Sequence, residues 1–148
     1  MECSSFSTPV GVQLYAYGAV TFDRPFAVFA PNVPASYATI ANGATPTKLI
    51  ITDFTRLEVT PTTSVGGTTR KVIIEYDVVG SAGERAIEQI KPLLGKDCHA
   101  LVSFLNGEKA WVRATENSFS IDYSETEGRV HVTIEADTIS GMQRIEGS

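Results

Sequence analysis

Residues able to do chemistry are few in this chain, and their spacing groups them poorly. There are two histidines, His99 and His131. His99 follows Cys98 directly, and adjacent side chains at the start of a strand point to opposite faces, so the pair is not a ready metal site. A structural role is expected for both histidines. Asp122, Glu125 and Glu127 gather around a turn but lack the spacing of a calcium-binding loop, and they read as a solvated acidic rim. No Gly-x-Ser-x-Gly elbow is present, and a Ser–His–Asp set arises only by free choice among many serines. Gly66-Gly67 lacks the Lys-Ser/Thr and the helix that complete a phosphate loop. Trp111, with Tyr15 and Tyr17, has the chemistry of a sugar-stacking platform, although a lone Trp in a hairpin more often fills a core. The expectation is no catalytic residue, no metal and no cofactor.

Composition narrows the class further. The chain has 148 residues, enough for one domain with a real core, so a single domain over 1–148 is expected. Its 12 basic residues are scattered and the net charge is −5, which argues against a sequence-independent grip on nucleic acid. No run approaches the length of a membrane span. Cys3 and Cys98 lie far apart, and reduced thiols are expected. The first residues have neither a basic start nor a continuous apolar stretch, so the expectation is cytoplasmic synthesis without a signal peptide.

The elements that would position these groups are clearest between Lys71 and Asp137. Val72, Ile74, Tyr76 and Val78 alternate with Ile73, Glu75, Asp77 and Val79, the period of a strand. Ser81-Ala82-Gly83-Glu84 matches a capping box, and Ile87, Ile90 and Leu94 then share one helical face. A helix over about 82–91 is predicted, ending near Pro92 and lying as a lid on a sheet, since so short a helix is marginal alone. Asn106-Gly107 predicts a two-residue turn that sets Val102 opposite Trp111, with Leu101, Leu105 and Val112 on one face and Val102, Phe104 and Trp111 on the other. With both faces apolar, that hairpin should lie centrally, the helix on one side and the rest of the sandwich on the other. The last hairpin has an inner set, Phe119, Ile121, Tyr123, Val130, Val132, Ile134 and Ala136, and a wet outer face.

Earlier segments are less regular. Val10 to Val20 predicts a strand with Tyr15 and Tyr17 on its outer face, and Asp23-Arg24-Pro25 a turn. Phe26 to Ala30 is apolar on both faces, as in a short covered strand. Residues 31–47 hold three prolines and read as a loop or arm, with Tyr37 and Ile40 its sizeable apolar side chains. Leu49 to Thr60 predicts a strand with a bulge near Asp53-Phe54, and Pro61 to Thr69 an extended hairpin tip. Residues 139–148 read as a short tail. The fold class is therefore mainly β: a β-sandwich or partly closed barrel of antiparallel strands with one flanking α-helix.

The order of strand Val72–Val79, helix from Ser81, hairpin about Asn106-Gly107 and final hairpin to Ala136 resembles the tail-tube-like proteins of phage tails. That family includes distal-tail and baseplate-hub subunits and the tube protein of type VI secretion. The resemblance implies a non-enzymatic structural subunit, a homo-oligomer with a hexameric ring favoured, beside other tail-like subunits and with a place in a virion. A ring subunit needs a surface that orders against a copy of itself. Phe26, Val28, Phe29, Tyr37 and Ile40 are the candidate subunit interface, with residues 31–47 as the arm; deleting residues 35–44 is expected to leave the monomer folded while abolishing higher assemblies. The rival reading is a monomeric β-sandwich that binds a ligand such as carbohydrate through exposed aromatic rings.

Overall fold

The computed structural model describes residues 6–147. Among them the element order is β1 (Pro9–Ala16), β2 (Val20–Phe22), β3 (Asn32–Val33), β4 (Ala38–Ile40), β5 (Thr47–Lys48), β6 (Asp53–Ser64), β7 (Gly67–Val79), α1 (Ala82–Ile90), β8 (Cys98–Phe104), β9 (Lys109–Val112), β10 (Ser120–Thr126), β11 (Arg129–Thr138) and β12 (Met142–Ile145). One sheet runs β3-β12-β9-β8-β1-β5 and a second runs β10-β11-β7-β6, while β2 and β4 form a small ribbon. The fold is mainly β, sandwich-like, with one flanking α-helix.

Alternation explains how the two large sheets meet. Val72, Ile74, Tyr76 and Val78 of β7 and Val130, Val132, Ile134 and Ala136 of β11 turn inward, where they join Val12 and Leu14 of β1 and Ala100, Val102 and Phe104 of β8 in one buried cluster. Their alternate neighbours, including Glu75, His131, Thr133 and Glu135, face outward. The bulge expected near Asp53-Phe54 is present, a register shift between Phe54 and Arg56 opposite β7.

α1 lies on this core, as its apolar stripe requires. Ile90 and Ala86 are fully buried, and Gly83 sits so close to β11 that a Cβ there would lie 3.2 Å from Val130 Cγ2. Gln89 pins the other flank: its Nε2 donates to the Lys48 carbonyl at 2.6 Å, and its Oε1 accepts from the Ile50 N–H at 2.9 Å. Two expectations fail here. The capping box does not form, because Ser81 is already helical at φ −67°, ψ −19°, whereas a capping side chain needs extended backbone to reach back. Leu94 is exposed, because the chain leaves α1 through a 3-10 turn at Lys91–Leu93 containing Pro92, and Leu93 packs on the core instead.

The β8–β9 hairpin is shifted from the two-residue register. Phe104 N–H donates to the Glu108 carbonyl at 2.9 Å, so the loop is Leu105-Asn106-Gly107 and Val102 pairs with Ala110, Leu101 with Trp111. Asn106 Oδ1 accepts from the Glu108 N–H, and Gly107 takes φ +92°, the arrangement of a turn followed by a left-handed residue. Trp111 therefore leaves the main core for the opposite face of the six-stranded sheet. The helix does not cover that face, since it shares the main core with the four-stranded sheet.

What covers it is the segment expected to be loose. Tyr15, Val20, Ala30, Val33, Tyr37 and Trp111 form a second buried cluster, joined by Phe22, Leu101 and Ile145. Phe26 to Ala30 is not a strand: Val28 N–H bonds back to the Pro25 carbonyl, and the chain turns there. Residues 31–47 are not a free arm, because β3 pairs in parallel with β12 and Tyr37 is 1% exposed. Nor do residues 139–147 trail away: β12 pairs with β9, and Met142 and Gln143 are buried. Tyr15, expected on an outer face, lies under this second layer.

Candidate functional site

The outward face of β6, β7 and β11 carries the densest polar chemistry. Glu75 and Asp77 alternate with inward residues of β7, and their register partners on β11 are Thr133 and His131. Asp77 is 6% exposed, although it faces outward, with the side chains of Arg129 and His131 bonded to its two oxygens. Arg129 Nη1 donates to Oδ2, and His131 Nδ1 lies 2.6 Å from Oδ1. His131 Nε2 lies 3.1 Å from Glu75 Oε1, and Arg56 Nη1 donates to Glu75 Oε2 at 3.0 Å. Arg56 Nε also donates to Glu58 Oε2 at 2.7 Å.

An imidazole with a carboxylate at each nitrogen is best satisfied doubly protonated, donating to both. The hydrogen bond to Asp77 raises the His131 pKa above its ordinary 6.5, with Glu75 adding to it. The same contact, with that from Arg129, holds the Asp77 carboxyl below its ordinary 3.8. Beside this network an open groove of about 420 Å³ runs over β10 and β11, lined by Asp122, Tyr123, Ser124 and Glu135 among others. Ser124 is the register partner of His131. Both ring nitrogens already face carboxylates, so no Ser–His–Asp relay is assembled there. Among the described residues no cluster of His, Cys, Asp and Glu is arranged to hold a metal ion.

The edges of the sheets differ sharply. In the six-stranded sheet the edge strands β3 and β5 are two residues each. Among the described residues, β6 leaves an unpaired edge along its length in the four-stranded sheet, and β10 a shorter one. β11 follows β7 only as far as Arg70, so β6 residues 62–64 and β7 residues 67–69 pair with each other alone. This hairpin projects about 10 Å past the sheet. Its tip residue Val65 is fully exposed.

The residues singled out from sequence scatter. Val28 and Phe29 are about half exposed, and the Phe29 ring lies under the Arg70 guanidinium at 4.5 Å. Ile40 is 40% exposed on the β2–β4 ribbon, and Phe26 is half-buried beside Arg113. Tyr37 is unavailable to a neighbour: it is buried, and its hydroxyl accepts from Arg113 Nη1 and Gln143 Nε2 at 2.9 Å each. Trp111 and Tyr15 pack together in the second core, so they form no exposed sugar platform, and Tyr17 stacks on His99. His99 is buried and accepts from the Ala114 N–H at 3.1 Å through Nδ1, and burial beside Arg113 pushes its pKa down to about 4. Cys98 is a free buried thiol, pushed up to about 11, while Cys3 lies outside the described residues.

Sequence reasoning treated His131, Asp77 and Glu75 separately. The alternation that put them on outward faces was readable, but the register that brings β7 against β11 was not. No helix among the described residues is long and apolar enough to cross a membrane. The chain matches no protein-family model, and neither the search of curated proteins nor that of solved structures gives a match.

Proposed function

We propose that this chain is a non-enzymatic structural subunit that assembles with copies of itself, as in the tail-tube-like proteins it resembles. A hexameric ring is the favoured arrangement, with other tail-like subunits as neighbours and a virion as its setting. The observation that carries the reading is the projecting hairpin of β6 and β7. Residues 61–67 are exposed throughout, and the tip covers none of the chain's own core. A two-stranded ribbon held only by its own ladder is marginal in water, and a neighbouring subunit would give it something to pack on. The net charge of −5 also suits a tube lumen through which nucleic acid must pass without sticking.

The carbohydrate-binding alternative is less well served. It relied on Tyr15, Tyr17 and Trp111, and two of these are buried while the third is stacked within the chain. The test is electron microscopy of the purified protein beside a variant in which residues 63–68 are replaced by Asn-Gly. Rings or tubes from the parent and none from the shortened variant, which should keep its fold, are the expected result. Isolated particles from both would count against the proposal.

A further inference from the structure

The free edge of β6 is built to recognise itself. The turn Val65-Gly66 joins Ser64 to Gly67, and from there the β6–β7 ladder runs without a shift to Arg56. In an antiparallel ladder, residues alternate between those bonded to the neighbouring strand and those whose N–H and C=O point away. Pro61 fixes the parity. Having no N–H, it belongs with the residues that face away from β7, and so do Val59 and Leu57. Leu57 and Val59 thus offer backbone donors and acceptors along an open edge. Thr55, the extra residue of the bulge, interrupts that edge on one side, and Pro61 ends it on the other.

Exposed edges are usually blunted by charge, and here the charges are Arg56 and Glu58. Their placement is self-complementary. An antiparallel copy related by a two-fold axis through Leu57 would exchange both backbone hydrogen bonds at that residue. The same axis sets Arg56 opposite Glu58 of the second copy, and Glu58 opposite its Arg56. Those two positions are non-hydrogen-bonded pairs, where facing side chains come closest. Centring the axis on Val59 instead would put Glu58 opposite Thr60 and lose the charge pairing. The other long edge, β10, carries Asp122 and Glu125 and no basic residue, so self-pairing there brings acid towards acid. On the inward side of β6, Val59 is 38% exposed and offers apolar surface to the same contact.

We infer that two copies of this chain pair edge to edge through β6 about a two-fold axis at Leu57, joining their four-stranded sheets into one. This rests on the reading of the chain as a self-assembling subunit and adds an isologous contact to it. Such a contact is compatible with rings stacked in face-to-face pairs.

The experiment is sedimentation velocity on the wild type, Arg56→Glu, Glu58→Arg and a mixture of the two variants, with circular dichroism as the control for folding. A two-fold contact is expected to give wild-type dimers or larger even-numbered species at about 100 μM, and each single reversal should weaken pairing about tenfold or more. In the mixture, one chain is acidic at both positions 56 and 58 and the other is basic at both, so every facing pair across the axis is of opposite charge and heterodimers should return. A purely structural effect of either substitution would not be repaired by mixing. Leu57→Pro is a second probe, removing the outward N–H at the axis while leaving the ladder to β7 intact, and it should abolish the pairing. Wild-type protein that stays monomeric overturns the inference together with the assembly reading. Assembly that is indifferent to all three variants overturns the β6 contact alone.

Discussion

Replacing Asp77 by Asn keeps the shape of the side chain and removes the charge on which the outward network converges. Asp77 is 6% exposed and bonds both Arg129 and His131. Hydrogen bonds to charged groups contribute roughly 1.5–3 kcal/mol each. The side chains of Arg129 and His131 are 49% and 37% exposed, however, and both can turn to water when the carboxylate is lost. Solvent screening therefore lowers the expected loss to about 1–2 kcal/mol. Its pH dependence has a definite sign. His131 has a folded pKa above 6.5, so its contribution is complete below pH 6.5 and is lost as pH rises through the folded value. Asp77 has a folded pKa below 3.8, so its contribution is present above pH 3.8 and is lost as pH falls through the folded value. The difference between wild type and Asp77→Asn should thus be largest between about pH 4 and 6.5 and shrink on both sides. Glu75 remains beside His131 in the variant, and exposed Asp53 still lies across from residue 77 on β6. His99 also titrates, but equally in both proteins, so it drops out of the difference. Urea denaturation of both proteins from pH 3 to pH 9 measures it. A difference that is flat with pH, or below about 0.3 kcal/mol at pH 6, would refute this account of the network.

Other consequences are as direct. Ile90→Ala empties a fully buried site under α1 and should destabilise by roughly 2–5 kcal/mol in the same denaturation assay. Gly141 has φ +68°, and a Cβ there would stand 3.0 Å from Val59 Cγ1; Gly141→Ala should lower stability by about 1–2 kcal/mol. Arg113→Ala removes donors to the Arg24 carbonyl and the Tyr37 hydroxyl and a cation stacked at 4.5 Å on Phe22. It should cost about 2 kcal/mol and raise amide exchange selectively in residues 23–40. Deleting residues 35–44 should unfold the second core rather than spare the monomer, because Tyr37 and β4 go with it; a cooperative melt close to the wild type would contradict that placement.

Sequence was most informative where periodic segments were long. β7 and β11 alternate over long runs and β10 from Ser120 to Ser124, and their inward sets could be read almost residue by residue. α1 was equally legible in extent, but its cap was not, because Gly80 at φ +71° starts the turn one residue early and leaves Ser81 helical. β2, β3, β4, β5 and β12 are two to four residues long, too short for a period to register. Their order comes from tertiary partners, such as Tyr37 under Arg113 and Gln143. The hairpin about Asn106-Gly107 was missed by one residue, and in a strand that shift moves every side chain to the other face, which is why Trp111 was placed wrongly. Of the candidate interface, the exposure of Phe29 and Val28 follows from a local turn at Pro25, whereas the burial of Tyr37 depends on residues about 75 and 105 positions away.

The central claim is self-assembly, and the mass of the purified protein in solution tests it most directly. Multi-angle light scattering across a concentration series should give a mass several times the 15.9 kDa of one chain, falling towards it on dilution. A mass that stays at one chain throughout the series would contradict the account.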